Sequence, residues 1–96
     1  MVEIRKTQLF ADWLAARSDR QARARILVRI ERMQSENFGD CKSVGDGVSE
    51  MRIHYGPGYR VYFTMRGDTV VILLCGGIKG SQRFDVVKAK LLAKEV

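Results

Sequence analysis

Apolar and polar residues alternate over Val2–Lys6, with Val2 and Ile4 set against Glu3 and Arg5, and this period of two predicts a short first strand. Thr7 is placed to cap a helix over Gln8–Arg17, where Leu9, Phe10, Trp13 and Leu14 recur at helical spacing and read as core. Ser18 followed by Gln21 fits a capping box, opening a second helix over Asp19–Glu36 that Phe38-Gly39 ends. Ile26, Ile30 and Met33 share one face of it, with Leu27 beside them. Arg25, Arg29 and Arg32 share another face at i, i+4 and i+7, either as a solvated surface or as a stripe that binds phosphates or a partner.

Residues Gly39–Gly47 read as a loop with room for a brief strand at Lys42–Val44. Three strands follow at Val48–Tyr55, Tyr59–Arg66 and Thr69–Gly77. Gly56-Pro57-Gly58 forms the first turn, and Gly67-Asp68 suits a two-residue hairpin with Gly at its first central position. Ser81 is placed to cap a last helix, Gln82–Lys94, with Phe84, Val87 and Leu91 expected to face inward and Lys88, Lys90 and Lys94 near its C-terminus. The order is β-α-α-β-β-β-α. It predicts an α+β fold in which an N-terminal strand and helical hairpin pack on a small, mostly antiparallel sheet followed by a C-terminal helix, with the helices on one face.

Ninety-six residues suffice for one domain, so 1–96 reads as a single unit without a separate cofactor module. Lys and Arg number 17 against 11 Asp and Glu, a net charge of +6, and the isoelectric point is near 9.8. So basic a domain expects an anionic partner: nucleic acid, an acidic protein or a membrane surface. The first residues lack the apolar core of a signal peptide, and the longest apolar run, Val70–Cys75, is too short to span a bilayer. A cytoplasmic location is therefore expected, with no membrane association and with Cys41 and Cys75 as free thiols. One histidine and no close cysteine pair offer no metal site, and no cofactor is expected.

Strand alternation sorts the central hairpin into two sides. Met51, Ile53 and Tyr55 oppose Glu50, Arg52 and His54; Tyr59, Val61, Phe63 and Met65 oppose Arg60, Tyr62, Thr64 and Arg66. If the apolar sets meet the helices, the other sets face outward. Pairing Tyr55 with Tyr59 puts His54 opposite Arg60 and Arg52 opposite Tyr62. Pairing Arg66 with Thr69 puts Arg60 beside Cys75 and aims Gly77 and Lys79 the same way. The outer face then gathers Arg52, His54, Arg60, Tyr62 and Lys79, with same-face neighbours roughly 6.6 Å apart, near the spacing of successive phosphates on one strand. The alternative is the charged, solvated side of an ordinary antiparallel sheet.

Cleavage of RNA without a metal needs a base for the 2′-OH, cations for the dianionic phosphorane and an acid for the leaving 5′-oxygen. Arg52, Arg60, Lys79 and Arg83 offer the cations. Histidine ordinarily titrates near neutrality, and His54 is the only one present. A lysine crowded by other cations is a second candidate for proton transfer. Tyr55 and Tyr62 could stack on a base or orient the phosphate. No carboxylate pair, serine triad or Walker loop offers a competing chemistry.

The run Gly47-Val48-Ser49-Glu50-Met51-Arg52-Ile53-His54-Tyr55-Gly56-Pro57-Gly58-Tyr59-Arg60-Val61-Tyr62-Phe63 resembles the signature of the RelE/ParE superfamily of type II toxins, and within it the HigB-like addiction-module killer proteins. The later run Leu73-Leu74-Cys75-Gly76-Gly77-Ile78-Lys79-Gly80-Ser81-Gln82 is similar to that group's Leu-Leu-x-Gly-Gly-x-Lys-x-x-Gln segment. The resemblance spans nearly the whole chain. It implies a bacterial toxin that cuts mRNA in the ribosomal A site, a cognate antitoxin, and contact with operator DNA only as the toxin–antitoxin complex. It also implies catalytic positions at Arg52, Arg60 and Lys79, with His54 and Gln82 or Arg83 adjacent. The sequence departs from the RelE pattern in carrying a helix with Phe84 after Lys79 and no evident late catalytic tyrosine. The expected function is thus a metal-independent endoribonuclease toxin, with Tyr55, Tyr62, Gln82, Arg83 and the Arg25, Arg29, Arg32 stripe as RNA-binding candidates. A ParE-like gyrase inhibitor and an RNA-binding module without catalysis are the alternatives.

Overall fold

The computed structural model describes all 96 residues. Strand β1 (Glu3–Lys6) leads into α1 (Gln8–Ala15) and α2 (Arg20–Gln34), followed by β2 (Cys41–Gly45), β3 (Val48–Ile53), β4 (Tyr59–Arg66), β5 (Val70–Ile78), a 3-10 turn at Lys79–Ser81 and α3 (Gln82–Ala93). The five strands form one sheet in the order β1-β5-β4-β3-β2. Only the β1–β5 pairing is parallel. The α+β architecture is the one the hydrophobic pattern predicts, and the brief strand expected near Lys42–Val44 is β2.

The caps differ in detail. Thr7 caps α1 as expected, its hydroxyl accepting from the Phe10 N–H at 3.1 Å. At α2 the cap is Asp19 rather than the expected Ser18–Gln21 box. Its carboxylate accepts from the N–H groups of Gln21 (2.9 Å) and Ala22 (3.2 Å), satisfying donors that a helix start leaves free. Ser81 does not cap α3 through its side chain. It bonds to Ile78 and to Asp85 instead.

The expectation that all helices share one face is corrected. α1 and α2 cover one side, where Phe10, Ala22, Ile26 and Met33 meet Met51, Ile53, Val61, Phe63, Val71 and Leu73. α3 covers the other, where Ala89 meets Val48, Tyr62, Ile72, Leu74 and Cys75. The apolar run of β5 serves both sides, the mark of a strand buried on two faces. Leu9, expected at the core, is 38% exposed, and Leu27, beside the Ile26–Ile30–Met33 face, is 51% exposed. The inward stripe of α3 is also corrected. Val86, Ala89, Leu92 and Ala93 pack on the sheet, while Phe84, Val87 and Leu91 turn to solvent.

Register decides which residues meet. β3 and β4 place Arg52 opposite Arg60 and Glu50 opposite Tyr62, a shift of two residues from the expected pairing that leaves every side chain on its expected side. β4 and β5 pair Arg66 with Val70, across three residues rather than the two expected of Gly67-Asp68. That pairing would put Arg60 on the wrong parity with Gly77. A bulge at Leu74 corrects it, so that Tyr62 meets Cys75 and Arg60 meets Gly77. The Thr7 hydroxyl, besides capping α1, donates to the Leu74 carbonyl at 2.7 Å and holds the bulge.

Candidate functional site

Arg52 and Glu50 project from β3, and Arg60 and Tyr62 from β4, toward the face that α3 covers. Glu50 is 1% exposed. A carboxylate so deep is tolerated when donors surround it, and four do. Arg52 Nε lies 3.5 Å and Arg60 Nε 3.6 Å from the same oxygen, Oε1. The Tyr62 hydroxyl donates to Oε2 at 3.1 Å, and Gln82 at the start of α3 donates through Nε2 at 2.8 Å. Both arginine Nε atoms are buried and complete no hydrogen bond. Their compensation is the charge of Glu50, close to both without the geometry of a hydrogen bond.

Asp40 extends the network. Its Oδ1 is 4.0 Å from Arg52 Nε, and its Oδ2 is 2.6 Å from His54 Nε2. The hydrogen bond with His54, against an opposing desolvation, and then the charges of Arg52 and Arg29 hold the Asp40 carboxyl below the usual range. His54, Asp40, Arg52, Glu50 and Arg60 thus form a line of alternating basic and acidic groups along one end of the sheet. Burial first, then the Glu50 charge, push the Tyr62 hydroxyl far above its ordinary value and keep it a donor.

The remaining expected residues divide. Lys79 lies beside the β3–β4 turn, its backbone N–H donating to the Gly58 carbonyl at 2.8 Å. The Lys79 and Arg83 side chains are exposed and form no ion pair, so both cations are open to an anion. Arg60, expected on an open surface, is 8% exposed, and Tyr62 is fully buried. Tyr62 therefore offers no stacking surface, because α3 covers the side of the sheet expected to be open. Tyr55 stands apart from the cluster, donating to Asp19 at 2.9 Å, with Arg25 4.7 Å over its ring.

The α2 arginines do not act as a uniform stripe. Arg29 donates to the carbonyls of Arg52 (2.5 Å), Phe38 (3.2 Å) and Asp40 (3.4 Å), a strut that fixes the Asp40 segment to the end of β3. Arg25, Arg32 and His54 line an open groove of about 590 Å³ floored by Val28 and Ile53. His54 thus belongs both to this groove and to the Asp40 pair.

The sequence reading missed Glu50 and Asp40 as organisers. Glu50 had a signal, since it shares the parity of Arg52 and His54. Asp40 had none, because only the β2–β3 register brings it beside Arg52, whose N–H donates to the Asp40 carbonyl at 3.0 Å. Asp85 was missed too. A Cβ on Gly77 would fall 1.8 Å from Asp85 Oδ2, so glycine at 77 is what lets α3 approach. Burial, and then the charge of Asp85, push the Cys75 thiol up to about 11, which leaves it a poor nucleophile. No group of three His, Cys, Asp or Glu side chains is placed to hold a metal ion, and no helix is long and apolar enough to cross a membrane.

The family model described as phage-derived protein Gp49-like (DUF891) matches residues 12–95. The chain belongs to the Gp49-like family. The matched span holds every residue of the Glu50 network, and Lys79 and Arg83 with them. A protein of Haemophilus influenzae, described as uncharacterized, is similar to this Gp49-like chain: 48% of 95 aligned residues are identical, covering 99% of this chain and 96% of that one. The two therefore correspond over nearly their full lengths.

Proposed function

We propose that this Gp49-like protein is a HigB-like toxin of the RelE/ParE superfamily, a metal-independent endoribonuclease that cuts mRNA on the ribosome and is neutralised by a cognate antitoxin in the cytoplasm. The observation that supports it is the convergence of Arg52 and Arg60 on one buried carboxylate, on a chain that also leaves Lys79 and Arg83 exposed and unpaired. A carboxylate that anchors two guanidinium groups fixes their direction before a substrate arrives, the preorganisation that stabilises developing charge.

The burial of each residue divides the labour. Arg60 is shut away and acts as a positioning residue, balancing Glu50. Arg52, with its side chain 31% exposed, lies with Nε 3.5 Å from Glu50 Oε1 as an ion pair and keeps its terminal nitrogens for a phosphate. Lys79 and Arg83 extend the cationic surface along the RNA backbone. His54 is 72% exposed and held through Nε2 by Asp40. With Nε2 donating to Asp40, Nδ1 takes the proton of the 2′-OH or, once protonated, gives one to the 5′-oxygen. Attack of that 2′-oxygen on the phosphorus expels the 5′-oxygen and leaves a 2′,3′-cyclic phosphate. Operator DNA is met only as the toxin–antitoxin complex.

Inducible expression with mapping of RNA 5′ ends tests the reading. The expected result is in-frame cuts within translated mRNA that Arg52→Ala abolishes. Growth arrest with intact transcripts and an SOS response would replace it with gyrase inhibition. Salt-sensitive RNA binding without cleavage on translating ribosomes would reduce it to a binding module.

A further inference from the structure

Helix α3 carries apolar side chains on both faces. The inner set is used by the sheet. The outer set, Phe84, Val87 and Leu91, is 79%, 59% and 58% exposed. Their spacing of i, i+3 and i+7 makes one continuous stripe. Single exposed apolar residues are normal, but an aligned set of three on one helix face marks a contact surface. Its margins are basic. Arg83 and Lys94 border one side and Lys88 the other, all three exposed and without an ion-pair partner, whereas Lys90 is turned to Asp46 at 3.7 Å.

We propose that this stripe is the docking surface for an acidic amphipathic helix of another protein. The occupant presents apolar residues at helical spacing to Phe84, Val87 and Leu91, and Asp or Glu on both margins to Arg83, Lys88 and Lys94. Charge selects this partner over a second copy of the chain, because self-association through α3 would press these cations against their own counterparts. The stripe also begins two residues beyond Gln82, which bonds to Glu50. A helix seated there lies against Arg83 and would limit access to it. That last consequence rests on the ribonuclease reading; the docking does not.

A designed, fluorophore-labelled helical peptide with leucines on one face and glutamates on both margins is the probe, compared with the same peptide carrying lysines on the margins. Anisotropy should show binding of the acidic peptide that weakens with salt, and none of the basic one. Phe84→Ser with Leu91→Ser should weaken binding about tenfold or more, and Lys88→Glu with Lys94→Glu should do the same while the helical circular dichroism of the protein is unchanged. Equal binding of both peptides, binding indifferent to the α3 variants, or no binding would overturn the proposal. So would self-association of the free chain that Phe84→Ser abolishes, or capture by anionic phospholipid vesicles in place of the acidic peptide. RNA cleavage by the same preparations is read separately. Its absence with peptide binding intact refutes the ribonuclease and leaves the docking surface standing.

Discussion

Arg60 Nε and Glu50 Oε1 lie 3.6 Å apart beneath α3, with both side chains closed off from water. Neither could stay there alone, because an uncompensated buried charge is more costly than the pair is favourable. Glu50→Gln keeps the size of the side chain and removes its charge, leaving Arg60 buried without a counter-ion. The expected loss is about 3–5 kcal/mol in urea unfolding. A midpoint equal to the wild type's would mean that water already reaches Arg60.

Arg52 and Arg60 should separate function from stability. Arg52→Ala removes a partly exposed side chain and should abolish RNA cleavage while costing roughly 1 kcal/mol or less of stability. Arg60→Ala removes the buried cation beside Glu50, leaving that carboxylate only Arg52, Tyr62 and Gln82, and should lower stability by more, about 3 kcal/mol. Growth arrest on induction and thermal unfolding of the two variants check this. If both lose activity only in proportion to lost folded protein, Arg52 has no direct part in the reaction.

Gly77 and Asp85 test the seating of α3. A Cβ at 77 cannot coexist with the Asp85 carboxylate in its present place, so Gly77→Ala should cost about 1–3 kcal/mol by overpacking. Asp85→Ala should return part of that loss when combined with it. A double-mutant cycle measures the coupling, and strict additivity of the two substitutions would contradict the contact.

Thr7 serves two elements with one hydroxyl. Thr7→Val preserves shape but removes the cap of α1 and the donor to the Leu74 carbonyl, for an expected loss of about 2 kcal/mol. Thr7→Ser should recover most of it. The comparison of the two in denaturant titration separates the hydroxyl from the methyl group, and equal losses would point to packing alone.

The acid limb of stability should report Asp40. A carboxyl held below its ordinary value of 3.8 contributes in full above that pH, and the contribution disappears as pH falls through the lowered value. The stability gap between wild type and Asp40→Asn should therefore be level near neutrality and close in acid. Denaturant midpoints measured across the acid range check the sign. A gap that widens toward low pH is the contrary result.

Much of the fold was legible because local patterns and topology agree. Thr7 as a cap, the span Tyr59–Arg66 and the parity of Arg52 with Arg60 all follow from neighbours within a few residues. Parity was robust because a two-residue error in register leaves each side chain on its own face. The α3 orientation was not legible. Its apolar residues occur all round the helix, so the 3.6 period alone does not choose between Phe84–Val87–Leu91 and Val86–Ala89–Leu92. The close fit of Ala89 to the sheet, and of Asp85 over Gly77, made that choice.

What the sequence by itself determined is the set of elements, their order, the alternation that groups Glu50, Arg52, Arg60 and Tyr62, and the excess of positive charge. These are properties of chain neighbours and composition. Tertiary structure decided the rest: that α3 closes over the side expected to face water, that a bulge at Leu74 brings Arg60 opposite Gly77, and that Glu50 and Asp40 become the anchors of the cations. Those outcomes depend on distant groups competing for the same space and the same hydrogen bonds, and that competition exists only once the chain has folded.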